Sequence, residues 1–114
     1  MSAVGLYDEN CQPTRSGEEG LSPDKVRALL SAVPAWQLAD GPRLQRTLRF
    51  ADFAELMVFV NRLAALAEEE GHHPDFSVRW NELVLALWTH DVSGLSRNDF
   101  ILAAKLDRLP GCPS

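Results

Sequence analysis

Residues 68–99 read EEEGHHPDFSVRWNELVLALWTHDVSGLSRND and hold every histidine of the chain: His72, His73 and His90. The adjacent pair directly follows a run with helical apolar spacing, and His90 follows a short apolar stretch that we predict to be a strand. Histidine is the side chain whose unperturbed pKa lies nearest neutrality. Imidazole rings at the ends of two elements predict one cleft with several proton donors and acceptors.

The segment before the histidines predicts a long helix. Asp52 with Glu55 three residues later resembles a capping box, and apolar residues then recur at helical spacing as far as Ala67. Gly71 is suited to end this helix, because glycine tolerates the left-handed conformation that helix ends often need.

The segment after them predicts two strands and a last helix. Residues 76–80 alternate as in a half-buried strand, whereas residues 83–88 are apolar without alternation, which predicts a strand covered on both faces. Ser96 and Asp99 occupy the N-cap and N3 positions of the last helix. Its apolar arc is too wide for one contact, so we expect it to pack on the sheet and on another subunit.

The sequence of the first half of the domain, residues 22–50, indicates a helix followed by a β-hairpin. Ser22 and Pro23 are typical of the N-cap and the first position of a helix. Residues 36–38 and 44–50 are strand candidates on either side of an Asp-Gly turn signal. Arg46 interrupts the apolar side of the second strand, which indicates a strand margin or a neighbouring carboxylate.

The element order is therefore α-β-β-α-β-β-α, which predicts an α+β fold with a four-stranded antiparallel sheet and three helices packed on one face. We expect three parts: a flexible N-terminal arm (1–20), a folded domain (21–109) and a C-terminal tail (110–114). Cys11 and Cys112 both lie in the predicted tails, which favours reduced thiols, with a tail-to-tail disulfide as the alternative.

Composition excludes several classes of function. The chain has 114 residues, 46% of them hydrophobic and 24% charged, as expected for one globular domain. Its net charge of −5 lacks the basic footprint of a nucleic-acid partner. Its longest apolar run is far short of the ~20 residues of a membrane helix, and the N-terminus has no signal-peptide pattern. We therefore expect a cytoplasmic protein with no membrane partner.

The histidine region resembles the pterin-4a-carbinolamine dehydratases. That family's pattern is an acidic or similar residue four before His, then His-His-Pro or His-Asn-Pro, an aromatic residue, a His or Trp ten residues beyond it, and a later Asp. The matching residues are Glu68, His72-His73-Pro74, Trp80, His90 and Asp99. The flank THDVSGLSRND also resembles the family, and the resemblance extends over roughly residues 21–109.

The resemblance implies a hydro-lyase that converts 4a-hydroxytetrahydropterin to quinonoid dihydropterin and water in tetrahydrobiopterin recycling. It implies His72, His73 and His90 as the catalytic set. We assign proton transfer to His73 and His90, and binding or polarisation of the pterin to His72. It also implies no metal and no cofactor, with pterin as the substrate and a homodimer or homotetramer as the assembly.

Four more residues are candidates for substrate binding. Glu68 is placed to hydrogen-bond the ring of His72 or its neighbour and so to fix a tautomer. Pro74 fixes the backbone after the two rings, because proline locks φ. Trp80 is either an aromatic wall for the flat pterin or part of the core. Asp91 either orients the preceding histidine or caps the turn, and we favour the cap.

Three alternatives stay open. Asp99 is expected to be only a helix cap, despite its place in the pattern. A zinc site could use three histidines, but the adjacent pair is poorly disposed to bind one ion. Finally, the fold could serve a non-catalytic interaction or assembly factor, for example for a carboxylase, with a protein partner bound through the N-terminal arm or the last helix.

Overall fold

The computed structural model describes residues 2–113, so Met1 and Ser114, the ends of the predicted arm and tail, lie outside it. Its helices are α1 (Ser2–Asp8), α2 (Pro23–Leu30), α3 (Phe53–Glu70) and α4 (Arg97–Asp107). Its strands are β1 (Gln37–Ala39), β2 (Arg43–Arg49), β3 (Asp75–Arg79) and β4 (Glu82–Leu87), and a 3-10 turn (His90–Val92) follows β4. No helix in this part of the chain is both long and apolar enough to cross a membrane.

The four strands form one antiparallel sheet in the order β1-β2-β4-β3. One face of this sheet is apolar and joins side chains of α2, α3 and α4 in a single core. The sheet contributes these buried leucines: Leu44, Leu48, Leu83, Leu85 and Leu87. The predicted α+β fold is thus confirmed, with α1 as an additional helix before the predicted order begins.

The helix ends follow the local signals in the sequence. The Asp52 side chain accepts a hydrogen bond from Glu55 N at 2.8 Å at the start of α3. Gly71 ends the same helix in the left-handed region, with φ at 67°. Ser22 caps α2 by accepting from Lys25 N at 3.3 Å. The stop at Gly71 sets where α3 ends, which fixes the position of the histidine pair that follows.

Within one chain, strand β4 is buried on one face only, so the chain's own helices do not supply the second covered face that we predicted. Leu83, Leu85 and Leu87 are 0% exposed, whereas Val84 and Ala86 between them are half-buried. Successive side chains of a strand point to opposite faces, and the helices of this fold cover only one of them.

Arg46 has the neighbouring carboxylate that the sequence indicated. Its guanidinium forms an ion pair with Asp107 at the end of α4, and Trp36 Nε1 donates to the same carboxylate at 2.9 Å. Arg46 also donates to the carbonyl of Pro113 at 3.0 Å. The predicted C-terminal tail is therefore held against the sheet by a largely buried cation.

The N-terminal residues pack against the domain, which differs from the flexible arm that we predicted. Leu6 is 0% exposed and belongs to the main core. Helix α1 packs against α4 and covers part of the wide apolar arc that we had attributed to a subunit contact. Contacts within one chain thus account for that arc, and self-association stays a prediction.

Replacing Leu6 with alanine tests the packing of α1. Because the side chain is fully buried, we expect Leu6→Ala to lower the free energy of unfolding by about 2–5 kcal/mol. Leu38→Ala is the matched control, since that leucine is 47% exposed and its loss should cost about 1 kcal/mol or less. Urea denaturation measures both values, and equal losses would contradict a docked α1.

Candidate active site

The three histidines surround one hollow with a volume of about 310 Å³. His72 and His73 reach it from the turn after α3, and His90 reaches it from the 3-10 turn after β4. The rest of the wall includes Thr14, Asp75, Trp88, Thr89 and Asp91. The predicted cleft between two element ends is therefore present, and its size lies at the lower end of small-molecule sites.

His72 is held by a buried carboxylate. Its Nε2 lies 2.6 Å from Asp99 Oδ1, and the two side chains are 13% and 0% exposed. An ionised carboxylate only accepts hydrogen bonds, so Nε2 carries the proton in this contact. The ring's Nδ1 has no protein partner within residues 2–113 and is not sealed from solvent. This nitrogen is free to contact a ligand.

The second oxygen of Asp99 is bound as well. Oδ2 accepts from Thr89 Oγ1 at 2.7 Å and from Ser96 N at 3.0 Å, the latter being part of a capping box at the start of α4. The expectation that Asp99 is only a helix cap is therefore incomplete, because one carboxylate caps α4 and orients His72. Its place in the family pattern was the signal for this second role.

His73 is paired with Glu68. Its Nε2 lies 2.6 Å from Glu68 Oε2, with side chains that are 59% and 77% exposed. The contact predicted from Glu68 is thus made to the neighbour of His72, across the turn at Gly71. His73 is open to solvent, whereas His72 is almost enclosed.

His90 lies against an aromatic side chain that the sequence analysis did not single out. Its ring centroid is 3.8 Å from that of Trp88, with the planes inclined at 37°. Trp88 Nε1 donates to Asp75 Oδ2 at 2.9 Å, and the Arg43 guanidinium lies 5.5 Å from the indole centroid. These contacts fix an indole in the wall of the hollow. Trp88 directly precedes Thr89 and His90 in the sequence, and this position could have identified it as a site residue.

Trp80 is not in the site, so neither predicted location for it is correct. It lies in the turn between β3 and β4, with φ at 53° and 69% of its surface exposed. The turn is Trp80-Asn81, because Arg79 pairs with Glu82. Since β3 begins beside the hollow at Asp75, Trp80 is roughly 16 Å away along the strand.

Asp91 does not orient His90 by a side-chain hydrogen bond. Its Oδ2 accepts from Thr14 Oγ1 at 2.6 Å, and its backbone carbonyl accepts from Gly17 N at 2.9 Å. Pro74 is half-buried between the histidine pair and β3. Among residues 2–113, no three His, Cys, Asp or Glu side chains are grouped so that they could hold a metal ion.

A family model described as pterin 4 alpha carbinolamine dehydratase matches residues 19–109, which include all three histidines and Asp99. The chain belongs to the pterin 4 alpha carbinolamine dehydratase family. The family match begins after Thr14, so one residue that lines the hollow lies outside it.

Curated relatives support the same membership, and each carries a provisional assignment as a pterin-4-alpha-carbinolamine dehydratase. A protein of Xanthomonas oryzae is 45% identical over 107 residues, which cover 93% of this chain and 91% of the relative. A protein of Syntrophotalea carbinolica is 44% identical over 107 residues, which cover 91% of this chain and 96% of the relative. One from Microcystis aeruginosa is 40% identical, covering 90% of each chain.

Two solved structures resemble the fold. A transcriptional coactivator/pterin dehydratase from Brucella melitensis has a TM-score of 0.74 and 29% identity, covering 78% of this chain and 96% of its own. A pterin dehydratase-like protein identified as a RuBisCO assembly factor in the alpha-carboxysome has a TM-score of 0.55 and 28% identity. The match covers 64% of this chain and 86% of that protein.

Asp99→Asn tests the buried carboxylate. The amide keeps the shape but has a single oxygen, so it cannot accept both from His72 and from the donors at Thr89 and Ser96. We expect the free energy of unfolding to fall by about 1–3 kcal/mol, the cost of a buried donor without an acceptor.

Asp52→Asn is the matched control at the start of α3. That exposed carboxylate accepts one hydrogen bond, and asparagine caps helices as well as aspartate does. Chemical denaturation of both variants decides the matter. If Asp99→Asn lowers the free energy of unfolding no more than Asp52→Asn does, the buried network does not contribute to stability.

Proposed function

We propose that this chain is a dehydratase that releases water from 4a-hydroxytetrahydropterins and yields the quinonoid dihydropterin, as tetrahydrobiopterin recycling requires. The observation that carries the proposal is the convergence of three histidines, with different partners and exposures, around one hollow. Membership of the dehydratase family supports it.

The reaction needs one proton delivered and one removed. The C4a–O bond breaks as the leaving hydroxyl takes up a proton, and the N5–H bond gives up a proton as the C4a–N5 double bond forms. Water is the only other product, so no electron leaves or enters and the elimination needs no redox cofactor. A protonated and a neutral imidazole can supply both steps near neutral pH.

We assign the two proton transfers to His73 and His90. Both side chains are exposed at the hollow, so they can exchange protons with solvent between turnovers. Glu68 accepts from His73 Nε2 and leaves Nδ1 as the nitrogen that can take up or release a proton. His90 lies against Trp88, which limits the directions its ring can take.

We assign binding and polarisation of the pterin to His72. Its ring is fixed by Asp99 through Nε2, which suits a residue that must hold one orientation. In this proposal Nδ1 meets the substrate. Trp88 takes the place that we had given to Trp80, as the aromatic wall against which a flat heterocycle can stack.

The resemblance to a RuBisCO assembly factor keeps a binding role as the second candidate. A protein that only binds partners does not need a buried hydrogen-bond network behind one histidine and a carboxylate beside another. Those two pairings favour the enzyme. Activity measurements on the following variants separate the two functions.

The double variant His73→Ala/His90→Ala removes the proposed proton-transfer pair. We expect its rate of dehydration of chemically generated carbinolamine to fall by about 10²–10⁴-fold toward the uncatalysed rate. Stopped-flow absorbance follows the reaction, with the spontaneous rate subtracted.

Trp80→Ala is the control, because its side chain is exposed at the far end of the β3–β4 hairpin and its loss should leave the rate unchanged. Thermal unfolding verifies that every variant is folded. A double variant as active as the unmodified protein would favour the binding role and refute the catalytic assignment.

A further inference from the structure

Residues 9–17, here called the strap, cross all three elements that carry the histidine site. The strap lies outside the part of the chain that matches the family model. It contacts in turn the end of α3, the start of α4 and the 3-10 turn. Each contact falls within two residues of a side chain of the site.

The first contact is at the end of α3. Cys11 N donates to Glu70 Oε1 at 2.8 Å. The Glu70 side chain is only 5% exposed, and its other oxygen lies 3.4 Å from Lys105 Nζ. Glu70 therefore anchors the strap two residues before His72.

The second contact is at the start of α4. Asn98 Oδ1 accepts from Gln12 N at 2.9 Å, and Asn98 Nδ2 donates to Gln12 O at 2.7 Å. The side-chain amide thus binds the strap as the backbone of a neighbouring strand would. Arg97 adds a bidentate ion pair with Glu9. Asn98 is 7% exposed and directly precedes Asp99.

The third contact is at the turn that carries His90. Asp91 receives hydrogen bonds from Thr14 Oγ1 and from Gly17 N, which are both in the strap. The turn is only three residues long and ends at Ser93 in the left-handed region, with φ at 51°. Backbone hydrogen bonds between residues 89 and 94 maintain the shape of the turn itself. The two strap contacts instead tie Asp91 to a separate segment of the chain, and so bear on where the turn lies.

We infer that Thr14 is a positioning residue of the active site, which holds the His90 turn in register with the histidine pair by donating to Asp91. Thr14 also lines the hollow itself, so the strap supplies part of the wall that faces the substrate. The catalytic consequence rests on the proposed dehydratase function. The structural consequence, a shift of the His90 ring when the hydroxyl is lost, does not.

Thr14→Val removes the hydroxyl while it keeps the shape of the side chain, and Thr14→Ser keeps the hydroxyl. We expect kcat to fall about 10–100-fold in the valine variant, since misplacing a reacting group by about 1 Å costs up to ~10²-fold. The Kd of an unreactive dihydropterin, measured by calorimetry, should change less than about threefold. The serine variant should recover kcat to within about threefold.

Thr47→Val is the matched control, because Thr47 is exposed on the outer face of β2. The three histidines also allow a readout without turnover, since each ring gives its own Cε1–H resonance in NMR. Thr14→Val should shift the His90 resonance and leave that of His73 in place. This result is expected even if the protein dehydrates no pterin, so failure of the proposed function and failure of the inference are distinguishable.

Cys11 reports whether the strap as a whole has stayed in place. Burial, and next the neighbouring Glu70 carboxylate, raise the pKa of its thiol to about 12. At pH 9 the thiolate is then the minor form, so alkylation is slow, because the thiolate is the reactive form. In a Cys112→Ser background, Thr14→Val should leave that slow rate unchanged.

Three results would overturn the inference. The first is a valine variant that matches Thr47→Val in both kcat and the His90 resonance. The second is a serine variant as impaired as the valine variant, which would mean that the hydroxyl is not the relevant group. The third is fast alkylation of Cys11 in the valine variant, which would mean that the strap detaches rather than that one contact positions a turn.

Discussion

The arrangement of the site depends on one buried contact, that between His72 Nε2 and Asp99 Oδ1. A carboxylate that is 0% exposed must have its charge compensated by hydrogen bonds. Here the donors come from three separate places: His72 in the turn after α3, Thr89 after β4, and Ser96 at the N-cap of α4. The carboxylate can be satisfied only when these places meet. The same contact that makes its burial tolerable therefore brings the two halves of the hollow together.

The contact also divides the histidines into two kinds. His72 is nearly enclosed and has one nitrogen committed to Asp99, whereas His73 and His90 are exposed. A fixed ring is suited to recognise a ligand, and an exposed ring is suited to exchange protons. Three side chains of one type thus acquire different capacities from their surroundings alone. This division supports the roles that we propose for them.

The elements that the sequence predicted well are those whose signals are local. The Asp52 cap, the Gly71 stop and the capping box at Ser96 need only neighbouring residues, and these set α3 and α4. Trp80 was misplaced because the family pattern suggested a site residue there, whereas β3 starts beside the hollow at Asp75 and runs away from it, which leaves Trp80 in the turn at its far end.

The dual role of Asp99 and the docking of the N-terminal residues were missed for related reasons. The N3 position already gave Asp99 a sufficient explanation, and nothing nearby in sequence shows that His72 lies against it. Residues 9–17 have no apolar periodicity, and their partners lie 59 to 88 positions further along the chain. A polar segment that is held by side-chain amides and carboxylates looks the same in sequence as one that is held by nothing.

The packing of α1 on α4 has a consequence for the order of events during synthesis on the ribosome. Leu6 is made well before α4, the helix against which α1 packs and which ends at Asp107. Contacts of such long sequence separation form late, because the chain between them must first be ordered. A nascent chain therefore carries an exposed apolar side chain until α4 has been made, and this is the interval in which chaperones would find it.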